Sequence, residues 1–299
     1  ILGLRFFGQG MLGHISMVFC GKWFFKNKGK AVAVANSGYT LAEAIMPTIF
    51  VALIGLLSWQ VSWYVSIIMS ILILASVRFL AKTERKKGTK PQKENQQVGM
   101  LKKSWKRSEM LRSWVFWAAV PGLMTSPMIT TTLFFHQVHL VEIKSWDLST
   151  YVLFIPAYSA ATLFSLYLIG YLVDKLSTKL ILPVFLFPLI SGLLLLSIAT
   201  SYFELLLIFI LLGLSAGAYI VVYGTFFPEF FGSLYLGSVR TVGVTIMVFS
   251  SAIGPVLSGY FIDLGYLIDH QFKFFAAFSV VASLLFLTIN LSVKLPENA

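Results

Sequence analysis

KTERKKGTKPQKENQQVGMLKKSWKRSEMLR, residues 82–112, decides how the rest of the chain is read. It holds Lys82, Arg85, Lys86, Lys87, Lys90, Lys93, Lys102, Lys103, Lys106, Arg107 and Arg112 against Glu84, Glu94 and Glu109. On both sides lie long, almost uncharged apolar blocks. Short segments rich in Lys and Arg remain on the cytoplasmic side of a bilayer, so this stretch is expected to be one cytoplasmic loop, poorly ordered, between two groups of membrane helices. A basic run also serves in nucleic-acid arms. Flanks of lipid-soluble sequence weigh against that use here, and no nucleic-acid partner is expected.

Composition agrees. Hydrophobic residues make up 58% of the 299 residues, charged residues 12%, and there are 27 Phe, too little polar surface to cover a soluble globule. The formal net charge of +11 comes largely from the central loop and from Lys22, Lys26, Lys28 and Lys30, so it describes loops facing anionic membrane lipid. The single cysteine, Cys20, excludes an internal disulfide and sits in an apolar span, where it reads as packing. No charged segment precedes an apolar run and cleavage site at the start, Ile1, and the chain is expected to be truncated there.

A bilayer-crossing helix needs about 20 apolar residues. Windows of that length fit nine times: residues 2–21, 31–56, 59–80, 113–138, 149–173, 180–199, 203–227, 238–262 and 272–291. Lys22 to Lys30 is basic, Leu57 and Ser58 form an uncharged turn, and Asp174, Lys175 and Lys179 mark a further inner loop. Basic loops thus alternate, as one consistent topology requires, with the central loop and carboxy terminus cytoplasmic. An internal repeat relates the halves. Gly29 and the run Ala44-Ile45-Met46-Pro47 recur as Gly237 and Ala252-Ile253-Gly254-Pro255, with the same offset of 208 residues for the glycines and the prolines. Weak parallel repeats of this kind occur between six-helix halves. The second half has six spans and the first three, so three helices are expected to be missing from the front.

At the end of the fifth span the sequence is Gly170-Tyr171-Leu172-Val173-Asp174-Lys175-Leu176-Ser177-Thr178-Lys179. It resembles the Gly-x-Leu-x-Asp-Arg-x-Gly-Arg-Arg loop signature of the major facilitator superfamily, with Ser177 and Thr178 where that signature favours Gly and Arg. Arg5-Phe-Phe-Gly8-Gln9-Gly10 is similar to the fourth-helix motif of the same superfamily, one residue short in spacing. Gly21-Lys22-Trp23-Phe24 with Lys28-Gly29-Lys30-Ala31 is similar to a loop of monocarboxylate-porter-like bacterial and archaeal members. Gly254-Pro255, Gly259 and Asp263 resemble the eleventh helix.

The resemblance implies an all-α integral membrane protein of the major facilitator fold, with nine of twelve transmembrane helices in this chain. Residues 1–81 would be helices 4 to 6, 82–112 the central loop and 113–299 the carboxy-terminal six-helix bundle. It implies a central cavity, alternating access by rocking of one half on the other, and Gly170, Asp174, Lys175 and Lys179 as an inner gating motif.

Several residues are candidates for contact with substrate or coupling ion. Arg5 and Glu43 are charges deep in the first two spans, about 25 and 20 Å from the joining loop at 1.5 Å per residue, so they could pair at similar depth. Arg5 would attract an anionic group, Glu43 would take up a proton and His14 would relay it; a fixed ion pair is the equal alternative. Tyr158, Tyr219 and Tyr223 either line a cavity or hydrogen-bond between helices. His136 and His139 have a metal-ligand spacing without a third ligand, so an entry or interfacial role is expected for His136 and no metal site. Pro121-Gly122 and Pro127 either gate by bending or hold a static kink, and Gly213-Leu-Ser-Ala-Gly217 is a close-packing motif.

The sequence is therefore read as a secondary transporter, monomeric and of the plasma membrane, moving a small organic solute. An organic anion in symport with protons is preferred, without a cofactor. The absence of a Walker phosphate loop disfavours a primary pump, and scattered single polar groups disfavour an enzyme. The alternatives are an intramembrane enzyme, a sensor, or a truncated chain that transports nothing.

Overall fold

The computed structural model describes residues 11–24, 27–86 and 98–293. Every regular element among them is helical: α1 (Leu12–Trp23), α2 (Lys28–Leu56), α3 (Trp59–Lys86), α4 (Arg107–Met110), α5 (Trp114–Phe135), α6 (Gln137–Ile143), α7 (Leu148–Val152), α8 (Ile155–Leu176), α9 (Thr178–Ile181), α10 (Phe187–Ile198), α11 (Tyr202–Phe231), α12 (Leu236–Asp263) and α13 (Ile268–Ser292). Inside a bilayer the backbone must satisfy its own hydrogen bonds, which leaves helices for sequences this apolar. Six of the described segments are long and apolar enough to cross a membrane: Trp59–Phe79, Trp114–Phe135, Thr150–Leu176, Tyr202–Phe231, Leu236–Asp263 and Ile268–Ser292.

The chain divides into two compact units, one of Ile1–Thr40 with Gln96–Ala299 and one of Leu41–Asn95. The smaller contains the later part of α2 and all of α3. Ile67, Ile68, Met69, Ile71, Leu72, Ile73, Leu74 and Val77 of α3 are all exposed, which gives the helix an apolar surface around its whole circumference. Its serines turn inward chemically: Ser62, Ser66, Ser70 and Ser76 each donate to the carbonyl four residues earlier, leaving no hydroxyl for lipid to solvate.

In the larger unit α11 is the central helix. It starts with a capping box, Ser201 Oγ accepting from Glu204 N at 3.3 Å while Glu204 Oε2 accepts from Ser201 N at 2.8 Å. Along α8 it packs through Gly213 and Gly217, where a side chain would collide with the carbonyl oxygens of Tyr158 and Thr162. Proline shapes its other neighbour. Pro127 has no N–H to give the carbonyl of Leu123, one turn back in α5, and Tyr219 Oη of α11 donates to that oxygen at 2.9 Å.

Two expectations change. The span expected over 180–199 is broken: α9 ends at Ile181, α10 begins at Phe187, and the intervening turn contains Pro183, whose carbonyl accepts from Ser283 Oγ of α13. Residues 98–112 of the basic stretch are also more ordered than their charge suggested. The stretch starts in the last turn of α3, residues 87–97 with Lys87, Lys90, Lys93 and Glu94 lie outside the described residues, and 98–112 dock on the end of α11. There Met100 N, Leu101 N and Trp105 N donate to the carbonyls of Glu229, Phe230 and Phe231 at 2.7, 3.4 and 2.9 Å. A helix ending at Gly232 leaves those carbonyls without intrahelical donors. Met110 is fully buried in the apolar core, so an apolar anchor helps order a segment whose charged side chains remain in water.

Candidate functional site

One end of the larger unit gathers the loop signature, the start of α2 and the end of α11. Gly29 and Gly170 pass backbone to backbone: a Cβ on Gly29 would strike the Gly170 carbonyl, and one on Gly170 would lie 2.8 Å from the Gly29 carbonyl oxygen. That approach sets the Asp174 carboxylate against the first turn of α2. Its Oδ1 accepts from Gly29 N at 2.7 Å and its Oδ2 from Lys30 N at 3.0 Å. The first N–H groups of a helix have no intrahelical acceptor, and the helix dipole favours an anion there, so Asp174 caps α2 from 144 residues away in sequence.

A second carboxylate lies beside the first. Glu229 of α11 is 5% exposed and accepts from Thr178 N at 2.9 Å and Thr178 Oγ1 at 2.8 Å. Lys28 Nζ stands 2.9 Å from its Oε1. A buried carboxylate with a cation and two further donors has the partners that burial of charge requires. Thr178 occupies the signature position that favours Arg; its hydroxyl and N–H take the carboxylate, and the positive charge comes from Lys28. Ser177, where the signature favours Gly, has φ 76° and ψ 155°, a backbone region that costs an L-residue dearly. Lys175 is exposed with Nζ 4.6 Å from the centre of the Tyr171 ring, Lys30 Nζ is 5.6 Å from the same ring, and Lys179 is buried.

Deeper in the bundle is a polar cluster between α1, α11 and α12. Tyr219 and Tyr223 stack at 5.6 Å, and the guanidinium of Arg240 lies 5.1 Å from the centre of the Tyr223 ring. The charge of Arg240 also bears on His14 and Cys20 of α1. Arg240 is 4% exposed, and its Nε and Nη1 have no hydrogen-bond partner among the described residues.

The other candidates are dispersed. Arg5, with the motif through Gly10, lies outside the described residues. Glu43 is exposed on α2 within the smaller unit, and His14 is half-buried in the larger. Tyr158 packs edge-on against Phe134 at 5.8 Å and lines a small apolar cavity with Leu133, Tyr151, Leu205 and Phe209, which neither Tyr219 nor Tyr223 lines. His136 Nε2 is 3.0 Å from the carbonyl oxygen of Pro255, tying α5 to α12. Glu229 and Arg240 were not among the sequence candidates. Arg240 stands near the start of its span, where an arginine reads as a flanking charge, and Glu229 lies just past the 203–227 span, where a carboxylate reads as solvated.

These features define an all-helical integral membrane protein in which helices from both sequence halves meet through buried charge and capped helix starts. The Major Facilitator Superfamily model matches residues 2–190, well over half of the chain, and the chain belongs to that superfamily of membrane transporters. Comparison with curated proteins finds no match.

Proposed function

We propose that the chain is a secondary transporter of the plasma membrane that moves a small organic solute, an organic anion in symport with protons, by alternating access. The reading rests on one observation above all: Asp174 joins the end of α8 to the start of α2 through two backbone N–H groups. Basic residues crowd that end, so it faces the cytoplasm and Asp174, Lys28 and Glu229 hold the inner gate shut. The protein acts as a monomer. Glu43 takes up the coupling proton.

The test uses the chain reconstituted in liposomes, with uptake and exchange of radiolabelled lactate under an imposed proton gradient. Glu43→Gln is expected to retain exchange and lose uphill accumulation. Equal loss of both, rescued by neutralising Arg5 as well, would leave a structural ion pair and remove the coupling role. No movement of lactate or of acetate, succinate and benzoate by the unaltered chain would remove the organic-anion reading.

A further inference from the structure

We propose that Arg240 is the anion-recognising residue of the transport path: its guanidinium binds a carboxylate of the solute between α1 and the α11–α12 pair. The inference rests on the organic-anion reading above and assigns the group that carries it. Arg240 enters from the fifth position of α12, about 6 Å along the helix from Leu236, while Tyr223 lies about 12 Å back from the end of α11. The side chain therefore turns into the bundle, away from the helix end.

An isolated charge at membrane depth costs at least about 2.5 to 3.5 kcal/mol on insertion scales, so such residues face a partner or a path for one. No protein carboxylate fills that role among the described residues. Their ion pairs are Lys28 with Glu229, Lys103 with Glu109 and Lys144 with Asp269, none of which includes Arg240. The groups that face Arg240 are His14 and Cys20 from α1 and Tyr219 and Tyr223 from α11, none of them an anion at neutral pH. Tyr223 meets the guanidinium with its ring centre 5.1 Å away and with its hydroxyl, while Nε and Nη1 have no hydrogen-bond partner among the described residues. A planar carboxylate is the ligand that such donors fit, through charge-assisted hydrogen bonds.

The place suits a transported anion better than a fixed one. α1 belongs to the first sequence half and α11 and α12 to the second, so separation of the halves uncovers Arg240. The Asp174 and Glu229 contacts lie at the same end of α11 and α12, between Arg240 and the exit.

The experiment measures thermal unfolding of the chain in nanodiscs of zwitterionic lipid, titrated with sodium acetate, lactate, succinate or benzoate. Sodium chloride at equal ionic strength and lactamide serve as controls. At least one carboxylate is expected to stabilise the chain saturably, with lactamide inert. Arg240→Gln is expected to raise the half-saturating concentration by about 30-fold or more. Arg240→Lys, which keeps the charge and guards against a folding defect, should fall between them. An unchanged half-saturation in either variant overturns the assignment, as does absence of carboxylate binding to the unaltered chain. Stabilisation by phosphatidylglycerol that depends on Arg240, with no carboxylate effect, would assign the charge to a lipid headgroup and also overturn it. Carboxylate uptake that survives in Arg240→Gln removes this inference and leaves the proposed function standing.

Discussion

The carboxylate of Asp174 takes the amide hydrogens of Gly29 and Lys30, so the last turn of α8 supplies acceptors to the first turn of α2. Replacement by Asn removes the charge and one acceptor at a helix N-terminus, a loss of about 1 to 2 kcal/mol. The closed arrangement then gives way more often. Cys20 is a native reporter, since it is the only cysteine, is buried, and lies in α1 near the same end. In inside-out vesicles maleimide should label Cys20 several-fold faster in Asp174→Asn than in the unaltered chain. Equal labelling rates would show that the contact does not hold this end closed.

Ser177 links α8 to α9 with φ 76° and ψ 155° and buries a hydroxyl that has no partner among the described residues. Ser177→Gly is therefore expected to stabilise the protein by about 1 kcal/mol or more, because glycine adopts this region without a Cβ clash. Ser177→Ala separates the two contributions, since it removes the hydroxyl and keeps the clash. A thermal melt in which Gly gives no gain over Ala would contradict the backbone argument.

Tyr219→Phe removes the donor to the Leu123 carbonyl, at a cost of about 0.6 to 1.7 kcal/mol for an interhelical hydrogen bond in a membrane. Pro127→Ala restores an N–H one turn along α5 and returns that carbonyl to its own helix. In the Pro127→Ala background the Phe substitution should cost almost nothing. Additive losses in the double-mutant cycle would mean that Tyr219 acts through something other than this bond.

Glu109 of α4 accepts from Lys106 N at 2.8 Å and from Lys103 Nζ at 3.1 Å, and these bonds hold its carboxyl below the ordinary value of 4.5. A lowered folded value means the contribution is complete above pH 4.5 and fades as the pH falls through the folded value. Amide exchange at Met100, Leu101 and Trp105, corrected for intrinsic rate, should accelerate over that acid range, and Glu109→Gln should show the faster rate already at neutral pH. Exchange independent of both would detach Glu109 from the docking of this segment.

Residues 82–112 and their apolar flanks determined by composition alone that the chain is a helical membrane protein, since neither burial of that charge nor exposure of those blocks to water is tolerable. Gly170 and Asp174 were legible because the signature lies within ten consecutive residues. What those residues touch was not. Asp174 meets Gly29 across 145 residues, and Glu229 meets Lys28, only because Gly29 and Gly170 allow two backbones to cross. Arg240 lies five residues into its helix, where periodicity gives it no direction, and the packing of α12 against α1 and α11 decided that its guanidinium is buried against Tyr223 with Nε and Nη1 unsatisfied among the described residues. The order of residues 98–112 was decided likewise: charge predicts solvation of side chains, but carbonyls left open by the end of α11 gave the backbone a place to dock.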